Sequence, residues 1–216
     1  MSSKQVDAIP ATTSATVVYL RPGSCSTLSR SSANLLQPAR LPVNATPTLF
    51  VDFDGTLHVG HAAMDEYGTI SLDTGRPLFE FAPVLIDLLM PYPTVELVLT
   101  TSWLFTLSAD QVTELLPYEL ARRVVDTTRH VRPRLCDVLK GIERTQVISR
   151  YAAGKQLTHW LAIDGSVFAA EQFGRERSEY LEHFLLLESS RGLGDFNAIR
   201  RVEEWLIDVH SRRDVL

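Results

Sequence analysis

Three apolar runs of this chain end abruptly in oxygen-bearing side chains, and no other feature limits the fold as sharply. TLFV at 48–51 runs into Asp52 and Asp54, VELVL at 95–99 into Thr100, Thr101 and Ser102, and HWLAI at 159–163 into Asp164. Such short runs, rich in β-branched and aromatic residues, read as buried strands. Amphipathic stretches lie between them. FAPVLIDLLM carries Pro83 near its start, SADQVTELLP opens on a serine suited to N-capping, and RTQVISRYAA stops near Gly154. RRVVDTT and EHFLLLES read as further strands, and FNAIRRVEEWLIDVH as a terminal helix. Strands alternating with helices specify an α/β fold, a three-layer Rossmann-like parallel sheet covered on both faces. Ligands of such sheets lie beyond the carboxyl ends of the strands, where these polar residues fall.

Carboxylates at the ends of buried strands resist desolvation, and neighbouring ones repel each other. A positive partner is therefore expected. Asp52, Asp54 and Asp164 together make a hard, oxygen-rich cluster that suits Mg2+, an ion usually shared with phosphate. With the charges neutralised, Asp52 is placed to attack phosphorus, and Asp54 to protonate the leaving oxygen and then activate water. An EF-hand-like calcium loop is excluded, because Gly55 follows Asp52 too early for the glycine that loop requires.

DFDGTL at 52–57 resembles the first motif of the haloacid dehalogenase-like (HAD) phosphohydrolases, Asp-x-Asp-Gly-Thr-(Leu/Val) after an apolar strand. The resemblance implies that Asp52 becomes an aspartyl phosphate and that Asp54 is the general acid/base. It also implies that magnesium is held by the Asp52 carboxylate and the Asp54 backbone carbonyl. VELVLTTSW is similar to the second motif, with Thr100 as the phosphoryl-binding hydroxyl and Thr101 and Ser102 one step from displacing it. HWLAIDG is similar to the fourth, with Asp164 as the metal-binding acid. Many members carry a second acid there, whereas this chain has Gly165 and Ser166. The third motif needs a Lys or Arg near the start of the preceding helix, and LKGIERTQ supplies both Lys140 and Arg144; Lys155 is too close to the strand. LLPYELARRVVDTT, RTQVISRYA and the late RGLG resemble the HAD domains grouped with Swiss Army Knife RNA repair proteins.

Members that act on small metabolites often insert a lid domain between motifs. The spans Leu57–Ala82 and Leu104–Leu139 are each too short for an independent core, so no separate cap domain is expected. An open site favours phosphates on large substrates, an RNA end or a phosphoprotein. Its positioning residues would come from HVGHAAMDEYGTISLDTG. His58 and His61 in that segment lack a third ligand for zinc and read as loop histidines facing substrate or solvent. Trp103 and Trp160 read as core or rim, and RERSEYLEH at 175–183 as a solvated face. A HAD-fold binding or regulatory module with weakened turnover and a nucleic-acid end-processing phosphatase are the alternatives to a phosphomonoesterase.

At 216 residues and 45% apolar composition the chain has material for one full domain. Residues 47–216 are expected to form it. Residues 1–46, rich in Ser, Thr, Ala and Pro with one acidic residue, read as a flexible tail faintly similar to a transit peptide. A formal charge of -5 argues against coating nucleic acid by bulk electrostatics. Cys25 and Cys136 are too few and too distant for a metal or disulfide framework. That usage and the absence of a long apolar run point to a cytoplasmic protein without a membrane span.

Overall fold

The computed structural model describes residues 44–165 and 182–211. The tail up to residue 43, with Cys25, lies outside them, as do Ser166 and most of the 175–183 run. Asn44 is already attached to the sheet end. Its N–H donates to the Gln156 carbonyl (3.0 Å) and its carbonyl accepts from Thr158 N–H (3.1 Å).

Five strands form one parallel sheet: β1 (Thr48–Val51), β4 (Glu96–Leu99), β5 (Val124–Thr127), β6 (Trp160–Asp164) and β7 (Phe184–Leu186). Their spatial order is β5-β4-β1-β6-β7. The chain runs outward from β1 through β4 to β5, then returns to lay β6 on the other flank of β1. That reversal opens a crevice above the carboxyl end of β1, the place where open parallel sheets bind ligands.

Side-chain alternation divides the sheet into two faces. Leu49, Val51, Leu97, Leu99, Leu161 and Ile163 point into the larger core. There they meet α1 (Ala82–Leu89), α2 (Ala109–Glu114), α3 (Tyr118–Ala121) and the terminal helix α6 (Phe196–Ser211). Phe50, Val98 and Ala162 point the other way, toward Ile148, Tyr151 and Ala152 of α5 (Glu143–Lys155). Phe50 takes the edges of Tyr151 and Trp160, each with ring centroids 5.5 Å apart, contacts worth about 0.5–1.5 kcal/mol apiece beyond burial. The three-layer α/β fold expected from the sequence is the one observed.

Ser108 caps α2 with a full capping box, its hydroxyl accepting from Gln111 N–H while the Gln111 side chain accepts from Ser108 N–H. The helix expected to stop near Gly154 ends at Lys155, and Gln156 closes it in the left-handed conformation. The segment read as a substrate loop folds into a small antiparallel hairpin, β2 (Ala62–Met64) with β3 (Ile70–Leu72). Asp65 organises its turn by accepting from the N–H groups of Tyr67 (2.9 Å) and Thr69 (2.7 Å). A further short helix, α4 (Leu135–Leu139), precedes α5. Neither insertion forms a cap domain among the described residues. No described helix is long and apolar enough to cross a membrane.

Candidate active site

Val51 pairs with Leu99 on one side and with Ile163 on the other. The next residue of each strand, Asp52, Thr100 and Asp164, therefore stands level with the other two. By alternation these side chains share the face of Phe50, Val98 and Ala162, under the first turn of α5. All three are buried. The convergence inferred from chain order is the observed arrangement.

Arg144, in that first turn, closes the site. Its Nη1 donates to Asp52 Oδ2 in a short contact and to Asp164 Oδ1 at 3.1 Å. Burial works against its charge, but Asp164 and Asp52 together hold the guanidinium above the usual arginine range. Asp52 responds in the opposite sense. Desolvation first, then the Asp164 charge, push it up to about 7, with Arg144 pulling the other way. Lys140 stands elsewhere. It is the exposed C-cap that follows α4, and the pocket takes Gly141 through Thr145 but not Lys140. The physical reason is Gly141, whose positive φ of 67° turns the chain between the helices and leaves Lys140 on the far side.

The crevice, about 340 Å3, is lined by Asp52, Asp54, Ser102, Arg144, Asp164 and Ser189, among others. Of the three hydroxyls ending β4, Thr101 accepts from Trp103 N–H and starts a 3-10 turn. Ser102 reaches the crevice wall. Thr100 lies beneath it, and its Oγ1 has no hydrogen-bond partner among the described residues. The same holds for Asp52 Oδ1. Buried polar atoms of this kind call for a ligand or an ion.

Asp54 projects from a single tight turn in which Thr56 and Leu57 both donate to the Phe53 carbonyl (3.0 and 2.9 Å). Gly55 makes that turn possible with φ +69°. One oxygen of Asp54, Oδ1, accepts from His58 Nε2 and from Trp103 Nε1, both at 3.0 Å. Burial raises this carboxyl, but the bonds from His58 and Trp103 outweigh it and hold Asp54 below the ordinary carboxylate range. His58 is not a solvent-facing loop residue, as its position in the sequence suggests. It is fully buried, and the N–H of Phe79 points at its Nδ1 (3.4 Å), which assigns the ring proton to Nε2. Phe79 holds φ +55°, a conformation costly for an aromatic residue, and is kept there by packing against Phe53, His58 and Trp103. His61 is 78% exposed, with Nδ1 3.9 Å from Asp54 Oδ2.

Ser189 and Gly165 form the opposite wall. The Ser189 hydroxyl donates to the Gly165 carbonyl in a short contact. A Cβ built on Gly165 would lie 2.8 Å from the carbonyl oxygens of both Asp54 and Gly55. The position where many HAD members carry a further acid thus has no room for a side chain.

The residues present fit a magnesium ion. Asp52 and Asp164 are close enough to share one guanidinium nitrogen, and Asp54, Ser102 and Ser189 add further oxygens to the crevice, the donor type this ion prefers. No group of three or more His, Cys, Asp or Glu side chains among the described residues is arranged to hold a metal. Magnesium does not need such a cage, because it retains several waters and binds through one or two carboxylates.

A parallel sheet with an aspartate at the switch point, a second aspartate two residues on and an arginine opening the helix before β6 define a HAD-like domain. Within that superfamily the chain belongs to the family described as the HAD domain in Swiss Army Knife RNA repair proteins, whose model matches residues 48–198. No curated protein matches the chain. The membership supports a phosphohydrolase-type role.

Proposed function

We propose that the chain is a magnesium-dependent phosphomonoesterase working through a phosphoaspartate on Asp52. One observation carries this reading: a single Arg144 nitrogen bonds both Asp52 and Asp164, so two buried carboxylates face one cation-sized point. Asp52 and Asp164, with the Asp54 backbone carbonyl, would hold the ion. When bound, magnesium supplies Lewis-acid charge neutralisation at the phosphoryl oxygens.

Asp52 attacks phosphorus, forming a carboxylate oxygen–phosphorus bond as the ester P–O bond breaks. The electron pair leaves with the ester oxygen, which takes a proton from Asp54. Water then attacks the phosphoaspartate while Asp54 accepts its proton, and inorganic phosphate departs with Asp52 restored. Arg144, rather than Lys140, is the cation for the phosphoryl group. It opens α5 and lines the crevice beside both carboxylates, and with an ion taking its place between them the guanidinium is free to turn to phosphoryl oxygens. The first turn of α5 has no side-chain cap and turns its N–H groups toward the same anion. Ser102 or the unpartnered Thr100 hydroxyl supplies a further donor.

The test is hydrolysis of p-nitrophenyl phosphate with magnesium, abolished in Asp52→Asn. A folded protein inactive on every phosphate ester would instead indicate a binding or regulatory module. The family description favours one substrate source in particular, a phosphate at an RNA end. A panel of 5′- and 3′-phosphorylated oligonucleotides, set beside phosphopeptides, decides between RNA and protein.

A further inference from the structure

The terminal helix α6 buries one face and presents another outward. Asp195 caps its start, accepting from Asn197 N–H (2.8 Å) and Ala198 N–H (3.3 Å), so the helical repeat is fixed from Phe196 onward. Ala198, Val202, Trp205, Leu206 and Val209 face the main core. On the outward side Phe196, Arg200, Glu203 and Ile207 follow at spacings of four, three and four residues, which sets them in one line along the helix. Phe196 is 74% exposed and Ile207 57% exposed, although both are large apolar side chains. Between them Arg200 makes only long contacts among the described residues, 3.8 Å to Glu204 and 3.4 Å to Asn197. Glu203 is exposed and has no ion pair among the described residues.

We propose that this stripe is the contact between two copies of the chain, their α6 helices packed antiparallel about a two-fold axis. Such an axis requires a surface that is its own complement, so that residue i meets j and j meets i. The stripe meets that requirement. Its order (apolar, basic, acidic, apolar) is complementary to itself when reversed. With the axis crossing midway between Arg200 and Glu203, Phe196 of each copy meets Ile207 of the other, and Arg200 meets Glu203. Two opposite-charge pairs then sit at the centre, flanked by two apolar contacts. A partner of unrelated sequence needs no such symmetry in the surface it binds. A groove of about 450 Å3 between α1 and α6, lined by Val84, Asp87, Leu88, Ile199, Glu203 and Ile207, adjoins the stripe and gives the incoming Phe196 ring an apolar recess. The crevice takes no residue from α6, so the contact uses no part of the proposed active site.

The experiment is sedimentation velocity on the full chain over a range of concentrations. The unmodified protein is expected to pass from monomer to dimer as concentration rises. Arg200→Glu and Glu203→Arg each oppose like charges at both symmetry-related pairs, and each is expected to weaken the dimer about tenfold or more. Mixed in equal amounts, the two variants present only opposite charges across the axis, and a heterodimer close to the original affinity is expected. Ile207→Asp should weaken the dimer as well. All three positions are exposed, and circular dichroism melts beside the unmodified chain show that each variant folds. A chain that stays monomeric at every concentration overturns the contact. So does a dimer that survives both charge reversals or Ile207→Asp, and so does an equal mixture that restores nothing.

Discussion

The imidazole of His58 and the carboxylate of Asp54 meet through a 3.0 Å hydrogen bond, four residues apart in sequence and joined across one tight turn. Because Phe79 N–H faces the other ring nitrogen, His58 presents Nε2 to Asp54 and fixes the aim of its carboxylate. His58→Ala is expected to lower kcat at least tenfold with little change in KM, and to cost about 1–3 kcal/mol of stability by leaving buried groups unpaired. His58→Gln retains a donor and should recover part of kcat. Trp103→Phe keeps the ring and removes the second donor, so it should lower kcat with a smaller loss of stability. Steady-state kinetics beside urea titrations separate these outcomes.

Arg144 neutralises two carboxylates at once, so its removal should leave them to repel each other. In Arg144→Ala the metal-free protein is expected to melt several degrees lower. Magnesium should restore more of that loss than it adds to the unmodified chain. Arg144→Lys places one compact charge where a planar fork stood, and is expected to rescue stability better than phosphate binding. Thermal melts with EDTA, magnesium, and magnesium plus vanadate provide the comparison.

The elevation of Asp52 to about 7 predicts a pH dependence whose sign runs against that of most carboxylates. Between about 3.9, the unfolded value, and 7 the native state keeps a proton that the unfolded chain has released. Stability of the metal-free protein should thus fall as pH rises through this window. Magnesium binds the ionised form, so its stabilisation should be larger at about pH 8 than at about pH 5. Asp52→Asn should flatten the curve. Urea midpoints at the two pH values, with and without the ion, check each part.

Gly165 offers a steric prediction. Gly165→Asp would supply the acid that many HAD members carry, yet its Cβ meets two backbone carbonyls at 2.8 Å. The substitution is expected to cost about 1–3 kcal/mol, the usual range for overpacking, and to lower activity by displacing Asp54. Gly165→Ala should show most of the same loss, because the clash begins at Cβ. A stable Gly165→Asp protein with tighter magnesium binding would refute this account.

Much of the site was readable in the sequence, for a definite reason. A parallel sheet keeps adjacent strands in register, so residues that follow equivalent apolar runs arrive side by side, as Asp52, Thr100 and Asp164 do. What the sequence did not show depends on contacts between distant segments. The burial of His58 needs Phe79, 21 residues on, and the second bond to Asp54 comes from Trp103, 49 residues on. Neither has a local signal beyond an apolar neighbourhood. The choice between Lys140 and Arg144 turned on Gly141, which splits one apparent helix start into α4 and α5. A glycine between two cations was the available clue. The hairpin was missed because three-residue strands are too short to show alternation, although DEYGT carries the turn chemistry.

The shared parity of Phe50, Val98 and Ala162 with Asp52, Thr100 and Asp164 has a consequence for how the chain can change. A slip of one residue in any of the three strands would exchange its two buried faces, driving a reactive side chain into the larger apolar core and an apolar one into the crevice. Any variant that disturbs the chemistry in this way is therefore also one that folds poorly. Such a variant would be lost through its unfolded fraction, which chaperones and proteases clear whether or not the site works.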